Sequence, residues 1–418
     1  MEVVIEGNAF VRGGLQKCAI GIEDGKIKDI KKILKGDKHH DFGDKLVLPA
    51  AVDAHVHFRE PGMTHKEDFE SGTACAAHGG ISCVLDMPNT QPPTTTVDAL
   101  NEKIRLASEK AHVDFGIYAG ITKDSDIEGL SKLATAFKIY LATTTGELLF
   151  DDWEALGNVF NRIDKTEKKV AVHCEDNNLI DKTAQPETLE DHHKSRPNQC
   201  EAQAIEKVLA LWPKPQLHIC HVSTMEGVDL VRKADVSSEV SPHHLLLNHR
   251  ANLEARGKVN PPLRDMKDQE ALWDAFSKGE IDIVASDHAP HTPEEKEKFT
   301  EAPSGVPGVE TMLPLLLVHV KLDRLDLSKL VRAVSERPAK MFGLNKGVLE
   351  VGRDADIIMV DMRKEKEIKT KKLHYKCGWT PYERFTAVFP RFTFVRGEMI
   401  VEDWELTGEK GFGRMAKD

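Results

Sequence analysis

The segment LVLPAAV (46–52) runs directly into DAHVHFREPG (53–62). A short apolar run thus ends in two histidines set two residues apart, with an arginine two further on. On a strand, residues i and i+2 point to the same side. The pattern predicts Asp53, His55 and His57 on one face of a strand end, where two imidazoles can bind one ion.

Outward from this point, β-rich runs recur at 81–86, 113–119, 136–141, 169–174, 216–221, 236–241 and 281–286. Helical patterns separate most of them, at 96–111, 201–212, 225–234 and 268–279. Strand then helix, about eight times over, predicts an α/β fold of the (β/α)8 TIM barrel type. An open doubly wound sheet is the competing arrangement, but no GxGxxG follows the first strand. The two ends read differently. Residues 1–49 and 345–418 alternate and turn like short strands, which predicts one composite β-rich domain beside a barrel of residues 50–344.

The polar residues fall where such a barrel keeps its chemistry. His55 and His57 end the first strand, Lys138 lies in the fourth, His173 ends the fifth, His221 the sixth and Asp287 the eighth. Active sites of these barrels sit at the C-terminal ends of the strands. One histidine at a strand end is ordinarily a packing residue; five strands delivering such groups in barrel order are not. By strand parity His218 and Cys220, in LHICHV, face away from His221 toward the helices, and Cys174 is buried on the outer side. His243 and His244 follow the seventh strand and receive no ligand role.

Four imidazoles, an aspartate and a lysine exceed what one tetrahedral zinc takes. They suit two ions sharing a bridge, which together can activate water and polarise a carbonyl. A lysine ammonium would repel both ions. Carboxylated by CO2, Lys138 becomes an anionic carbamate with one oxygen for each.

The totals bound the rest. With 418 residues and 40% hydrophobic content the chain can bury a large core. A net charge of −11 and the lack of a basic run argue against a nucleic-acid partner. No stretch has the length and hydropathy of a membrane span, and MEVVIEGNAF lacks the pattern of a signal peptide. Seven scattered cysteines fit reduced thiols and a cytoplasmic location.

Taken together, DAHVHFREPG, MPNT (87–90), FKIYL (137–141), HCED (173–176), HVST (221–224), VNPPLR (259–264), SDHAPH (286–291) and SGVPGVET (304–311) resemble the amidohydrolase superfamily and, within it, the dihydroorotases. The resemblance spans nearly the whole chain. It implies one zinc on His55, His57 and Asp287, a second on His173 and His221, and a bridge of carboxylated Lys138 and a hydroxide. It further implies that Asp287 is the general acid–base and that Arg59, Asn89, Asn260 and His291 hold substrate. The implied reaction is reversible cyclisation of N-carbamoyl-L-aspartate to L-dihydroorotate, a step of pyrimidine (UMP) biosynthesis.

Some relatives of this type bridge their metals with an aspartate from the loop after the fourth strand, which makes Asp151 and Asp152 rivals to Lys138. That loop, with Thr143, Thr144 and Thr145, reads either as a lid over substrate or as an ordinary connection. Self-association and association with aspartate transcarbamoylase are both left open. Two other functions compete: an allantoinase- or hydantoinase-type cyclic amidase, and a non-catalytic scaffold of dihydroorotase-like fold. Arg59 and the VNPPLR and GVPG segments favour dihydroorotase over the amidases, and the complete set of ligand residues opposes the scaffold.

Overall fold

The structure is a computed structural model that describes residues 1–143 and 148–416. Eight parallel strands follow one another in chain order: Ala51–Val56, Ile81–Asp86, Asp114–Gly120, Ala136–Tyr140, Val170–His173, Leu217–Ile219, Ser237–Val240 and Ile283–Val284. The last returns to the first. His57 N–H donates to His288 O at 2.8 Å, and Ser286 N–H donates to the Asp53 carboxylate at 3.0 Å. The sheet closes as the expected barrel. The four helical patterns form helices at Val97–Lys110, Asn198–Leu211, Met225–Arg232 and Met266–Lys278.

The inner wall is a small buried cluster that includes Val52, Ala54, Leu85, Ala171, Cys220 and Ile283, closed from below by Ala339, Phe342 and Leu344. A larger cluster, with Val56, Val84, Val172, Ile219 and Val284, packs the outer wall against the helices. Alternation between the two clusters is regular along most strands, as a pleated sheet requires. Cys174 lies in the outer cluster, as parity predicts.

Two parity expectations fail. Cys220 is on the inner wall, and His218 also points inward, with its Nε2 hydrogen-bonded to Glu239 Oε2 at 3.1 Å. His221 joins them because its φ is +30°, which turns the chain after Cys220 and breaks the two-residue period. On the first strand the pairing register shifts between Asp53 and Val56. Val52 and Ala54 therefore face inward, and so do His55 and His57 beyond the shift. Asp53 does not join the two histidines. Its carboxylate accepts the His55 and Ser286 amides and braces the closure.

The termini come together in a second sheet. Its order is Glu405–Leu406, Glu398–Glu402, Phe392–Val395, Ile357–Val360, Lys38–Pro49, Val3–Val11, Gly14–Glu23 and Lys26–Lys31. A third buried cluster fills it, with Ile5, Ile20, Val47, Ile357 and Phe394. Where sheet and barrel meet, the buried Lys346 ammonium lies 2.7 Å from Asp114 on the third barrel strand, 2.7 Å from Asp356 and 3.1 Å from Asp354. No helix among the described residues is long and apolar enough to cross a membrane. All seven cysteines are buried and unpaired.

Candidate active site

A cleft of about 440 Å³ opens at the C-terminal ends of the barrel strands. His55, His57, Arg59, Asn89, Lys138, His173, His221, Asn260 and Asp287 all line it. Most of the residues singled out by sequence thus converge on one place. His291 stands just behind, against Arg59. Thr143 is exposed and bonded to Asn177 rather than lining the cleft, while Thr144 and Thr145 lie outside the described residues. Asp152 caps the helix Trp153–Ile163 by accepting Ala155 N–H. Neither Asp151 nor Asp152 lines the cleft.

Each turn that presents a key side chain is built locally. Arg59 and Asp287 adopt φ of +63° and +47°, an uncommon conformation for residues with a Cβ. The Arg59 turn is held by Phe58 N–H, which donates to Asp86 at 2.7 Å. Asp86 in turn is paired at 2.6 Å with Lys103, and both are fully buried. Gly305 in the opposite wall has φ +143°, and a Cβ there would meet Ala289 O at 2.4 Å, so only glycine fits.

The imidazoles are anchored from behind. His57 Nδ1–H donates to Asn89 Oδ1 at 2.6 Å, His55 Nδ1–H to Glu239 Oε1 at 2.5 Å, and His173 Nε2–H to Glu175 Oε2 at 2.8 Å. Glu175 is itself gripped by Arg196. Such bonds fix the tautomer and leave the other ring nitrogen bare for a ligand. Those bare nitrogens face one another. His55 Nε2 and His57 Nε2 lie 3.4 and 3.2 Å from Asp287 Oδ1. His173 Nδ1 lies 3.1 Å from His221 Nε2.

Ligand atoms about 2.0–2.1 Å from a tetrahedral ion are separated by about 3.4 Å. His55, His57 and Asp287 match that spacing and can hold a metal ion, and His173 and His221 offer two further nitrogen donors beside them. Between them Lys138 is almost fully buried. Its Nζ donates to Cys220 Sγ at 2.8 Å, and among the described residues no carboxylate pairs with it. His55, Cys220 and Glu239 form a second close group of possible ligand atoms around the same imidazole.

Burial dominates the electrostatics. It lowers His57 to about 3 and Arg59 to about 10. Burial alone would raise Asp287, but His55 and His57 beside it hold its carboxyl below the usual range. Burial and Lys138 oppose protonation of His55, yet the flanking Glu239 and Asp287 carboxylates raise it to about 10, so they stabilise positive charge at Nε2, where an ion would take the place of the proton.

Several members of the site are not evident from spacing. Glu239 is one, although a lone carboxylate inside the strand SSEV is itself a signal. His192 looks like a surface or packing residue in sequence, yet its Nε2 contacts Asn260 Oδ1 at 3.0 Å and helps to hold that residue in the cleft wall. Tyr140, two residues from Lys138 on the same strand face, also lines the cleft.

Comparison with known proteins fits this geometry. Residues 46–400 match the amidohydrolase family. A dihydroorotase of Methanosarcina acetivorans is 42% identical, over 97% of this chain and 92% of that one. One from Pyrococcus abyssi is 38% identical over 100% and 99%. Among solved structures, the L-hydantoinase of Arthrobacter aurescens superposes with a TM-score of 0.95 at 29% identity, covering 100% of both chains. The chain belongs to the amidohydrolase family, whose members are metal-dependent hydrolases. Within that family it groups with the dihydroorotases, as its full-length relatives show.

Proposed function

We propose that the cleft catalyses the reversible cyclisation of N-carbamoyl-L-aspartate to L-dihydroorotate, with two zinc ions held by His55, His57 and Asp287 and by His173 and His221. Carboxylated Lys138 would bridge them. The single observation that carries the reading is a buried guanidinium, Arg59, in the wall of a cleft whose floor is lined by paired imidazoles. A planar fork suits the carboxylate that distinguishes dihydroorotate from hydantoin or allantoin rings. We include in the proposal the division of the chain into a barrel of residues 50–344 and a composite unit of residues 1–49 and 345–418.

Bound at these residues, the ions would supply Lewis-acid polarisation of the ring carbonyl and lower the pKa of water between them. The chain's own groups do the rest. Arg59 and Asn260 orient the ring, with backbone at Ser304 and Gly305 beside it. Asn89, in the cleft wall, commits its carbonyl to His57 and so fixes that imidazole. In the hydrolytic direction Asp287 takes the proton of the attacking water and passes it to the leaving ring nitrogen. In ring closure it donates the proton that lets water depart.

Replacing Arg59 with alanine is expected to lower kcat/KM for dihydroorotate about 10- to 150-fold, the equivalent of about 1.5–3 kcal/mol for a charged hydrogen bond. Metal content should stay unchanged, since Arg59 touches Pro290 O and His291 rather than any proposed ligand. Steady-state kinetics beside metal analysis tests this, and a near-native kcat/KM would defeat the substrate assignment. The hydantoinase alternative draws on the structural likeness. It is tested with the same protein by comparing turnover of dihydroorotate, hydantoin and allantoin.

A further inference from the structure

Ser304 and Gly305 line one wall of the cleft, and the segment that carries them runs on through Gly308 into the helix Met312–Lys321. Its upstream half is pinned by backbone. Gly305 N–H donates to Lys258 O at 2.9 Å, and Ala289 N–H donates to Val306 O at 2.8 Å. Its downstream half is pinned by side chains. His288 Nδ1 lies 3.1 Å from Gly308 N and 3.4 Å from Val309 N, and Tyr375 Oη accepts Glu310 N–H at 3.0 Å. Three consecutive amides thus point at two side chains. Gly308 O in turn accepts Thr311 N–H at 3.1 Å and Met312 N–H at 3.0 Å, so the anchored residue also supports the start of the helix.

His288 is completely buried, with the Phe58 and Tyr375 rings 5.7 and 5.5 Å from its own between centroids. A backbone N–H can only donate, so Nδ1 must offer its lone pair to the Gly308 and Val309 amides. The ring proton is then on Nε2. That nitrogen faces Glu67 Oε2 at 3.7 Å, a carboxylate oxygen that is also buried and has no hydrogen-bond partner among the described residues. Two donors face the lone pair and an acceptor faces the N–H, so all these contacts agree with one tautomer. Gly308 and Val309 are themselves buried, and a buried amide without an acceptor is costly. His288 does not line the cleft, and strand Ala51–Val56 is joined to its main chain rather than to its ring.

We propose that His288 is a positioning residue for the reaction: its Nδ1 lone pair holds Gly308 and Val309, and through them it sets where Ser304 and Gly305 meet the substrate ring. This inference rests on the reading of the cleft given above. Without that acceptor the downstream half of the wall has only Tyr375 to hold it. A displaced wall weakens the grip on the ring while Asp287 and the imidazole donors keep their own supports. The effect therefore falls on KM rather than on kcat.

The test compares three variants of the metal-loaded full-length protein. His288→Asn keeps an acceptor, because its carbonyl oxygen stands as many bonds from Cα as Nδ1 does. His288→Gln moves the polar group out to the distance of Nε2, and His288→Leu has none. KM for dihydroorotate is expected to rise about five- to tenfold in His288→Gln and His288→Leu, with kcat within about twofold, and to stay within about twofold of native in His288→Asn. Deuterium uptake of a peptide spanning 304–311, read by mass spectrometry without substrate, should be faster in His288→Gln and His288→Leu and unchanged in His288→Asn. The same KM in all three variants overturns the inference, whether native or raised, and so does a loss of kcat that exceeds the change in KM. If His288→Leu does not fold, the contrast between His288→Asn and His288→Gln decides alone. Failure of the underlying substrate reading appears separately, as an Arg59→Ala protein with near-native kcat/KM, and the deuterium uptake does not depend on it.

Discussion

Asp287→Asn is expected to keep the fold and to lose at least about a hundredfold in kcat, since a positioned acid–base group contributes roughly 10²–10⁴-fold. The amide matches the carboxylate in shape but cannot carry a proton between water and the ring nitrogen. Its position favours the role. Oδ1 faces the His55 and His57 nitrogens at 3.4 and 3.2 Å, while Oδ2 lies on the other side of the carboxylate, 4.0 Å from His243 Nε2. One oxygen can thus serve an ion while the other exchanges protons. Because Oδ1 is a proposed ligand, metal must be counted in the same preparation. A folded, metal-replete variant with native kcat would remove the proton-transfer role.

A second large loss is expected from Lys138→Ala, which should shed most bound metal and most activity. The physical reason is the setting of the side chain. It is buried, it has a thiol as its hydrogen-bond partner, and among the described residues no carboxylate balances it. A carbamate formed with CO2 would change its sign and give each ion an oxygen. Short carboxylic acids such as acetate or propionate should partly restore metal and turnover by filling the space left in the variant. Asp151→Ala and Asp152→Ala should retain the metals. The second should also lose about 1 kcal/mol of stability, because Asp152 caps a helix. Metal analysis with intact-protein mass spectrometry checks this. An unmodified lysine with metals in place, or metal loss in either aspartate variant, would favour the loop-aspartate bridge.

The barrel is legible in the sequence because its signal is periodic. Eight apolar runs, each followed by a helical pattern or a polar loop, leave few other folds. The converging side chains are legible because strand ends can be found without knowing their turns. Local irregularity is what escapes such a reading. His221 reaches the cleft through a positive φ, and no spacing rule indicates that; because of that turn it shares the inner wall with Cys220 and His218, which parity with His221 would have placed outside. The register shift after Asp53 likewise moves one residue of the opening motif out of the cleft while leaving the next two in it. Glu239 and His192 are hidden for a different reason. Each acts through a partner more than sixty positions away in the chain, His55 in one case and Asn260 in the other. Pairings of that kind appear only once the chain is folded.

The sheet of terminal strands dictates an order of assembly. Lys38–Pro49 pairs on one side with Val3–Val11 and on the other with Ile357–Val360. The first pairing closes a short loop; the second joins residues about 300 positions apart, and closing so long a loop is entropically costly until the intervening chain is compact. The barrel strands pair with their immediate successors and can form while the far edge of Lys38–Pro49 is still open. During synthesis that edge is a row of unsatisfied amides and carbonyls, the kind of surface on which strands from other molecules stack. It is covered only when Ile357–Val360 docks and Lys346 locks between Asp114, Asp354 and Asp356. Chains terminated before Ile357–Val360 are therefore expected to aggregate more readily than the full chain, a difference that light scattering of the two would show, although this pairing lies far from the catalytic cleft.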